Sequence, residues 1–153
     1  TLGLVMAATG RLGDAAEQLV AAAQLPMATA KCMCLAIDAA SARDEHAAAL
    51  QLAIAATDRF ADEAECWHLR GREELVAADA LSAVHSLEQA HTLAPDDDTI
   101  LGLLADADLS KGSFPSPDRW ARKLLERNPA LRAELATHPE SAPMMRPRAT
   151  IAP

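Results

Sequence analysis

The chain has 153 residues, half of them hydrophobic, and carries a formal net charge of −8. That length suits one domain, and the acidic balance lacks the basic footprint that a general nucleic-acid binder needs. Aromatic residues make up only 3% and tyrosine is absent, while alanine and leucine dominate; these two lose little side-chain freedom in helices, so an all-α fold is expected. No apolar run approaches the ~20 residues of a membrane span, and no charged start leads into an apolar stretch with a cleavage site. The chain opens at Thr1 rather than methionine, which leaves room for an upstream segment; the expected location is cytoplasmic. Cys32, Cys34 and Cys66 are odd in number and lack framework spacing, so they are expected as reduced thiols.

Local signals mark the elements in chain order. Thr9–Gly10 closes a first helix, because glycine enters the left-handed conformation at a helix C-terminus without penalty. Asp62 followed by Glu65 reads as a capping box ahead of a helix that carries Trp67. Asp96 to Asp98 places negative charge where a helix N-terminus favours it. Lys111–Gly112 repeats the first stop, and Ser116–Pro117 opens a helix through Trp120, Leu124 and Leu125. Pro129 starts a short capping helix to about Thr137, expected to cover the last exposed repeat face. His138 to Pro153 holds four prolines and no sustained period, and is expected as a mobile tail.

A shift of 34 residues aligns the chain with itself. Ala15, Ala49 and Ala83 fall on one column, and Leu19, Ala53, Leu87 and Ala121 on another. Ala22, Ala56, Ala90 and Leu124 follow three residues later, Pro95 pairs with Pro129, and Gly10 lies three periods before Gly112. Gly3, Ile37, Gly71 and Ala105 form a further column, small in three cases. Columns sharing one phase point to internal repeats.

These residues resemble the tetratricopeptide repeat (TPR) family, whose pattern is a tryptophan, leucine–glycine, an aromatic, spaced small and bulky residues, and a closing proline. The segment 64–97 fits best, with Trp67, Gly71, Ala83, Leu87, Ala90 and Pro95 at matching spacings. Residues 1–29 read as a partial repeat through Leu2, Gly3, Met6, Gly10, Ala15, Leu19 and Ala22; 30–63 and 98–131 read as looser copies, and 132–153 as the end of the cap and the tail. The resemblance implies a right-handed superhelical stack of helix–turn–helix repeats. Three departures stand out. Arg70 replaces the usual leucine, with Leu69 beside it to compensate, and Ile37 is bulky where helices should cross closely. Glu74 and Asp108 occupy the aromatic column, through a local register slip or as carboxylates at the lip of a groove, the second being preferred.

In this family the first helix of each repeat lines a concave groove. The resemblance carries that surface onto Leu4, Ala7 and Ala8; Lys31, Cys34, Asp38 and Ser41; Glu65, His68, Arg72 and Leu75; and Thr99, Gly102, Asp106 and Leu109. This mixed surface suits an extended peptide or a partner helix, with a mild preference for basic partners. The family's carboxylate clamp uses lysines and asparagines of successive first helices. These first helices contain no asparagine, and acids accompany Lys31 and Arg72, so a clamp is not expected.

Sharper chemistry finds little support. Residues two apart on a helix point to roughly opposite sides, so Cys32 and Cys34 read as core or groove-wall residues, as does Cys66. His46, His68, His85, His91 and His138 show no metal spacing, and phosphate loops, nucleophile elbows and dinucleotide fingerprints are absent. Glu73 and Glu74 read as surface charge rather than a general acid and base. Trp67 is expected in the core, whereas Trp120 is either core or partly exposed. The expectation is therefore a non-enzymatic protein-binding module, adaptor or chaperone-like, without metal, cofactor or membrane insertion. The alternatives are an accessory segment of a larger enzyme or secretion component, and a scaffold that self-assembles through incompletely capped repeat ends.

Overall fold

The computed structural model describes residues 12–110 and 118–130 of the chain. Among them lie seven α-helices and no strand: α1 Leu12–Ala23, α2 Ala30–Ser41, α3 His46–Arg59, α4 Ala64–Val76, α5 Ala80–Leu93, α6 Asp98–Ser110 and α7 Asp118–Arg127. Each helix packs on the next, and α2 also touches α4 as α4 touches α6. The fold is thus an all-α helical repeat stack, with α2, α4 and α6 forming one continuous layer. Starts of α2, α4 and α6 recur every 34 residues, as do those of α1, α3 and α5.

The turns inside the helix pairs repeat the same geometry. After α2, Asp44 takes φ 60°, and after α4, Ala78 takes φ 59°. In each turn the next amide reaches back five residues, Glu45 to the Ala40 carbonyl and Asp79 to that of Glu74, while the left-handed residue bonds three back. This is the Schellman arrangement, which satisfies otherwise orphaned helix carbonyls. Asp44 and Ala78 occupy the same 34-residue column as Gly10 and Gly112. In the two described turns of this column the left-handed position is filled without glycine.

Several N-termini are capped by side chains. Thr29 accepts from the Cys32 amide at 3.3 Å, Asp79 from Ser82 at 3.2 Å, and Asp97 from Thr99 at 2.8 Å. The expected Asp62–Glu65 box does not form: α4 has Glu63 as its N-cap, without a side-chain cap bond. The Glu63 carbonyl instead receives the Cys66 amide. Helical backbone reappears at Pro129 and Ala130. The remainder of the expected capping helix, the tail, and the Thr9–Gly10, Lys111–Gly112 and Ser116–Pro117 signals lie outside the described residues.

Two apolar clusters form the core. One joins Met33, Ala36, Ile37, Ala49, Ala53, Cys66 and Leu69; the other joins Ala83, Leu87, Ile100, Leu101, Leu104 and Trp120. Close packing between α4 and α5 depends on Gly71, where an added Cβ would lie 2.5 Å from Leu87 Cγ. Trp67 is half-buried against the second cluster, and its Nε1–H donates to the Ala61 carbonyl at 2.8 Å. Trp120 is core, only 5% exposed, with its ring edge against His91 at 5.2 Å between centroids. Arginines at the ends of α3 and α7 fasten earlier loops. Arg59 donates to the carbonyls of Leu25, Pro26 and Ala28, and Arg127 to those of Pro95 and Asp96.

Two substitutions should move stability in opposite directions. Gly71→Ala gains helix propensity of about 1 kcal/mol but overpacks Leu87 by about 1–3 kcal/mol, so net destabilisation is expected. Ala78→Gly relieves a left-handed alanine and should stabilise by about 1 kcal/mol. Urea midpoints of the two variants shifting in the same direction would contradict this geometry.

His91 gives the α5–α7 contact a pH dependence. It is buried, and Lys123 Nζ lies 2.7 Å from its Nε2, leaving Nδ1 without a hydrogen-bond partner among the described residues. Burial, then the charges of Lys123, Arg127 and Arg119, hold its pKa below the usual 6.5, against a smaller opposing effect of Asp96. A depressed folded-state pKa means that protonation favours the unfolded chain. This contribution is complete above 6.5 and is lost as pH falls from there through the depressed value. Melting between about pH 7.5 and about pH 5.5 should show a steeper decline in the native protein than in His91→Gln.

Candidate interaction surface

The surface follows from the α2–α4–α6 layer. Between α2 and α4 lies an open cavity of about 420 Å³, lined by Ala30, Lys31, Cys34, Leu35, Asp38, Glu63, Glu65 and Cys66. Lys31, Asp38, Glu63 and Glu65 are exposed around it, whereas Cys34 and Cys66 are buried. The result is an apolar, sulfur-bearing wall beneath a charged rim holding three carboxylates and one lysine. Of the groove positions carried over by resemblance, Lys31, Cys34, Asp38 and Glu65 meet here. Ser41 is half-buried elsewhere on α2.

The other positions do not line this cavity. His68 is half-buried, its Nδ1 3.6 Å from a Glu65 carboxylate oxygen. Arg72 bridges α4 to α2 through Asp38 at 2.9 Å and donates twice to its neighbour Glu73. Burial opposes its charge, but the hydrogen bonds and charges of Asp38 and Glu73 prevail and hold its pKa above the ordinary arginine value. Leu75 packs against the second cluster. On α6, Thr99 and Asp106 are exposed, and a Cβ added at Gly102 would meet nothing within 4 Å. Leu4, Ala7 and Ala8 lie outside the described residues, as does the side chain of Leu109.

The acidic pair on α4 departs from its expectation. Glu73 and Glu74 are not surface charge, being 1% and 4% exposed, and Glu74 does not lie at a groove lip. Glu73 pairs with Arg72 and with His46 Nδ1 at 3.0 Å. Glu74 accepts from Arg70 Nε at 2.8 Å and from Ser86 Oγ at 2.6 Å, and Arg70 also donates to Thr57 at 3.0 Å. Leu69, beside Arg70, is fully buried in the first apolar cluster. A buried carboxylate requires such partners, because desolvating an unpaired charge is costly. Sequence reasoning missed this network: two adjacent acids on a helix resemble a solvated face until partners from other helices appear.

Among the described residues no group of three or more metal-ligating side chains could hold an ion, and no helix is long and apolar enough to cross a membrane. Glu74→Ala strips Arg70 and Ser86 of their shared acceptor and should destabilise by about 3 kcal/mol. Asp38→Ala, which breaks a half-exposed pair, should cost less than about 1 kcal/mol. Chemical denaturation of both would test the contrast, and equal losses would contradict it.

No family model and no curated protein matches the chain. Among solved structures, it is similar to one titled "Crystal structure of MamA protein", with a TM-score of 0.73 and 20% identity, covering 90% of this chain and 73% of that one. At that identity the likeness speaks to fold alone. With the all-helical architecture, it supports a tetratricopeptide-like helical repeat fold.

Proposed function

We propose that this protein is a non-enzymatic interaction module, adaptor or chaperone-like, whose α2–α4–α6 face takes a peptide or helix of another protein. The observation carrying this reading is the cavity between α2 and α4, with its apolar wall and charged rim. In this reading 1–29 is a partial repeat, 30–63, 64–97 and 98–131 are full repeats, and 132–153 completes the cap and tail.

The rim indicates the partner's character. Arg72 already neutralises Asp38, so Lys31 faces Glu63 and Glu65 as the remaining charges around the cavity. The balance favours a segment that places lysine or arginine over the rim and lays its aliphatic stem on Leu35 and Ala30. Such side chains bury their methylenes while the charged head stays wet.

A displayed library of lysine- and arginine-bearing peptides, selected on the full chain, tests this reading. Selected peptides should bind Glu63→Lys/Glu65→Lys about tenfold more weakly, as reversal of two rim charges implies, with circular dichroism confirming that the variant folds. Affinity independent of the rim charges would reject the site.

A further inference from the structure

Cys34 on α2 and Cys66 on α4 carry free thiols whose Sγ atoms lie 3.8 Å apart, although the residues are 32 positions apart in sequence. Both border the open cavity, where Cys34 keeps 9% of its surface exposed and Cys66 none, so a small oxidant approaches the pair from the Cys34 side. Cys32, two positions from Cys34 on the same helix, is half-buried and does not line the cavity. Disulfide bonding requires the sulfurs to close to about 2.05 Å, an approach of under about 2 Å that side-chain rotation and a slight shift of α2 against α4 can supply. Cβ-linked thiols in van der Waals contact across two packed helices form a built pair, unlike a solitary buried cysteine.

We propose that Cys34 and Cys66 are an intramolecular oxidation site, forming a reversible disulfide that staples the first helices of successive repeats when the protein meets a peroxide. The reading is independent of the peptide-binding role. Their mutual hydrogen bond, then burial, raises the Cys34 pKa, with Glu65 and Asp38 contributing; the same hydrogen bond lowers that of Cys66. One thiolate of the pair attacks one peroxide oxygen, the O–O bond breaks, and the departing hydroxide takes up a proton, leaving a sulfenic acid and one water. The other thiol then loses its proton and attacks the sulfenic sulfur. The S–S bond forms, the S–O bond breaks, and a second water leaves. Two thiols are oxidised while one peroxide is reduced to two waters, and excess dithiol reverses the bond by exchange.

The full chain, treated with hydrogen peroxide and kept non-reduced, should lose two hydrogens in intact mass. Peptide mapping should recover Cys34 linked to Cys66. The melting temperature should rise by about 5–10 °C, reversibly with dithiol, because the cross-link restricts the unfolded chain. Cys32→Ser should retain both changes. Cys34→Ala and Cys66→Ala should each abolish them, circular dichroism confirming that these variants fold. Oxygen addition without linkage, a bond involving Cys32, or linkage only between chains would overturn the proposal; the native protein alone suffices to observe any of these.

Discussion

Helix α4 holds two consecutive carboxylates away from water, and the arrangement of its neighbours depends on satisfying both. Side chains one residue apart on a helix point about 100° apart, so Glu73 and Glu74 reach different partners. Glu73 engages His46 of α3 and, through Arg72, Asp38 of α2. Glu74 engages Ser86 of α5, while its partner Arg70 reaches Thr57 of α3. Three helices are thereby indexed against the fourth. Cys66 and Leu69 of α4 belong to one apolar cluster, whereas Trp67 and Leu75 pack on the other, so the polar network lies along a seam between two oily halves. A rotation of α4 that improved either cluster alone would strand a charge, and this restricts the helix to one orientation. That orientation also sets Glu65 and Cys66 opposite α2 and so shapes the cavity.

Much of the fold was legible because repeats impose columns. Gly71 meets Leu87 at close quarters, and one period earlier the same two columns hold Ile37 and Ala53, both fully buried. Bulk has changed sides while the pair keeps a comparable volume, which explains how Ile37 is tolerated where a small residue was expected. The next period has Ala105 and Ala121. The glycine column was legible too, but only as two glycines three periods apart; the structure adds Asp44 and Ala78 between them as left-handed residues. Arg59 and Arg127, two periods apart, also share a column and a task. Neither residue type nor local pattern revealed that task, because their acceptors are carbonyls of loops more than thirty residues upstream.

The missed features share a physical cause. Periodicity reports what each repeat does alike, whereas the acid network and the sulfur pair arise from differences between repeats. Cys34 has His68, not Cys66, as its column mate; the thiols meet because α2 packs on α4 and brings their Sγ atoms to 3.8 Å. Helix-wheel reasoning separated Cys32 from Cys34 correctly but could not supply the partner on another helix. Likewise Arg72 read from sequence as a groove cation, yet Asp38 and Glu73 claim its guanidinium. The charge that a column assigns to a surface is thus an upper bound on the charge left for a partner.

The cavity and the thiol pair share a wall, so the two proposals together would couple recognition to redox state. An occupant resting on Leu35 and Ala30 would cover the approach to Cys34 and Cys66, slowing peroxide access. Conversely, drawing the two sulfurs together would pull α2 toward α4 at the cavity and change the space between Lys31 and Glu65. Linkage makes the coupling reciprocal: if oxidation weakens binding by some factor, binding disfavours the disulfide by the same factor. No separate switch element is required, because the first-helix layer that presents the rim also carries both thiols.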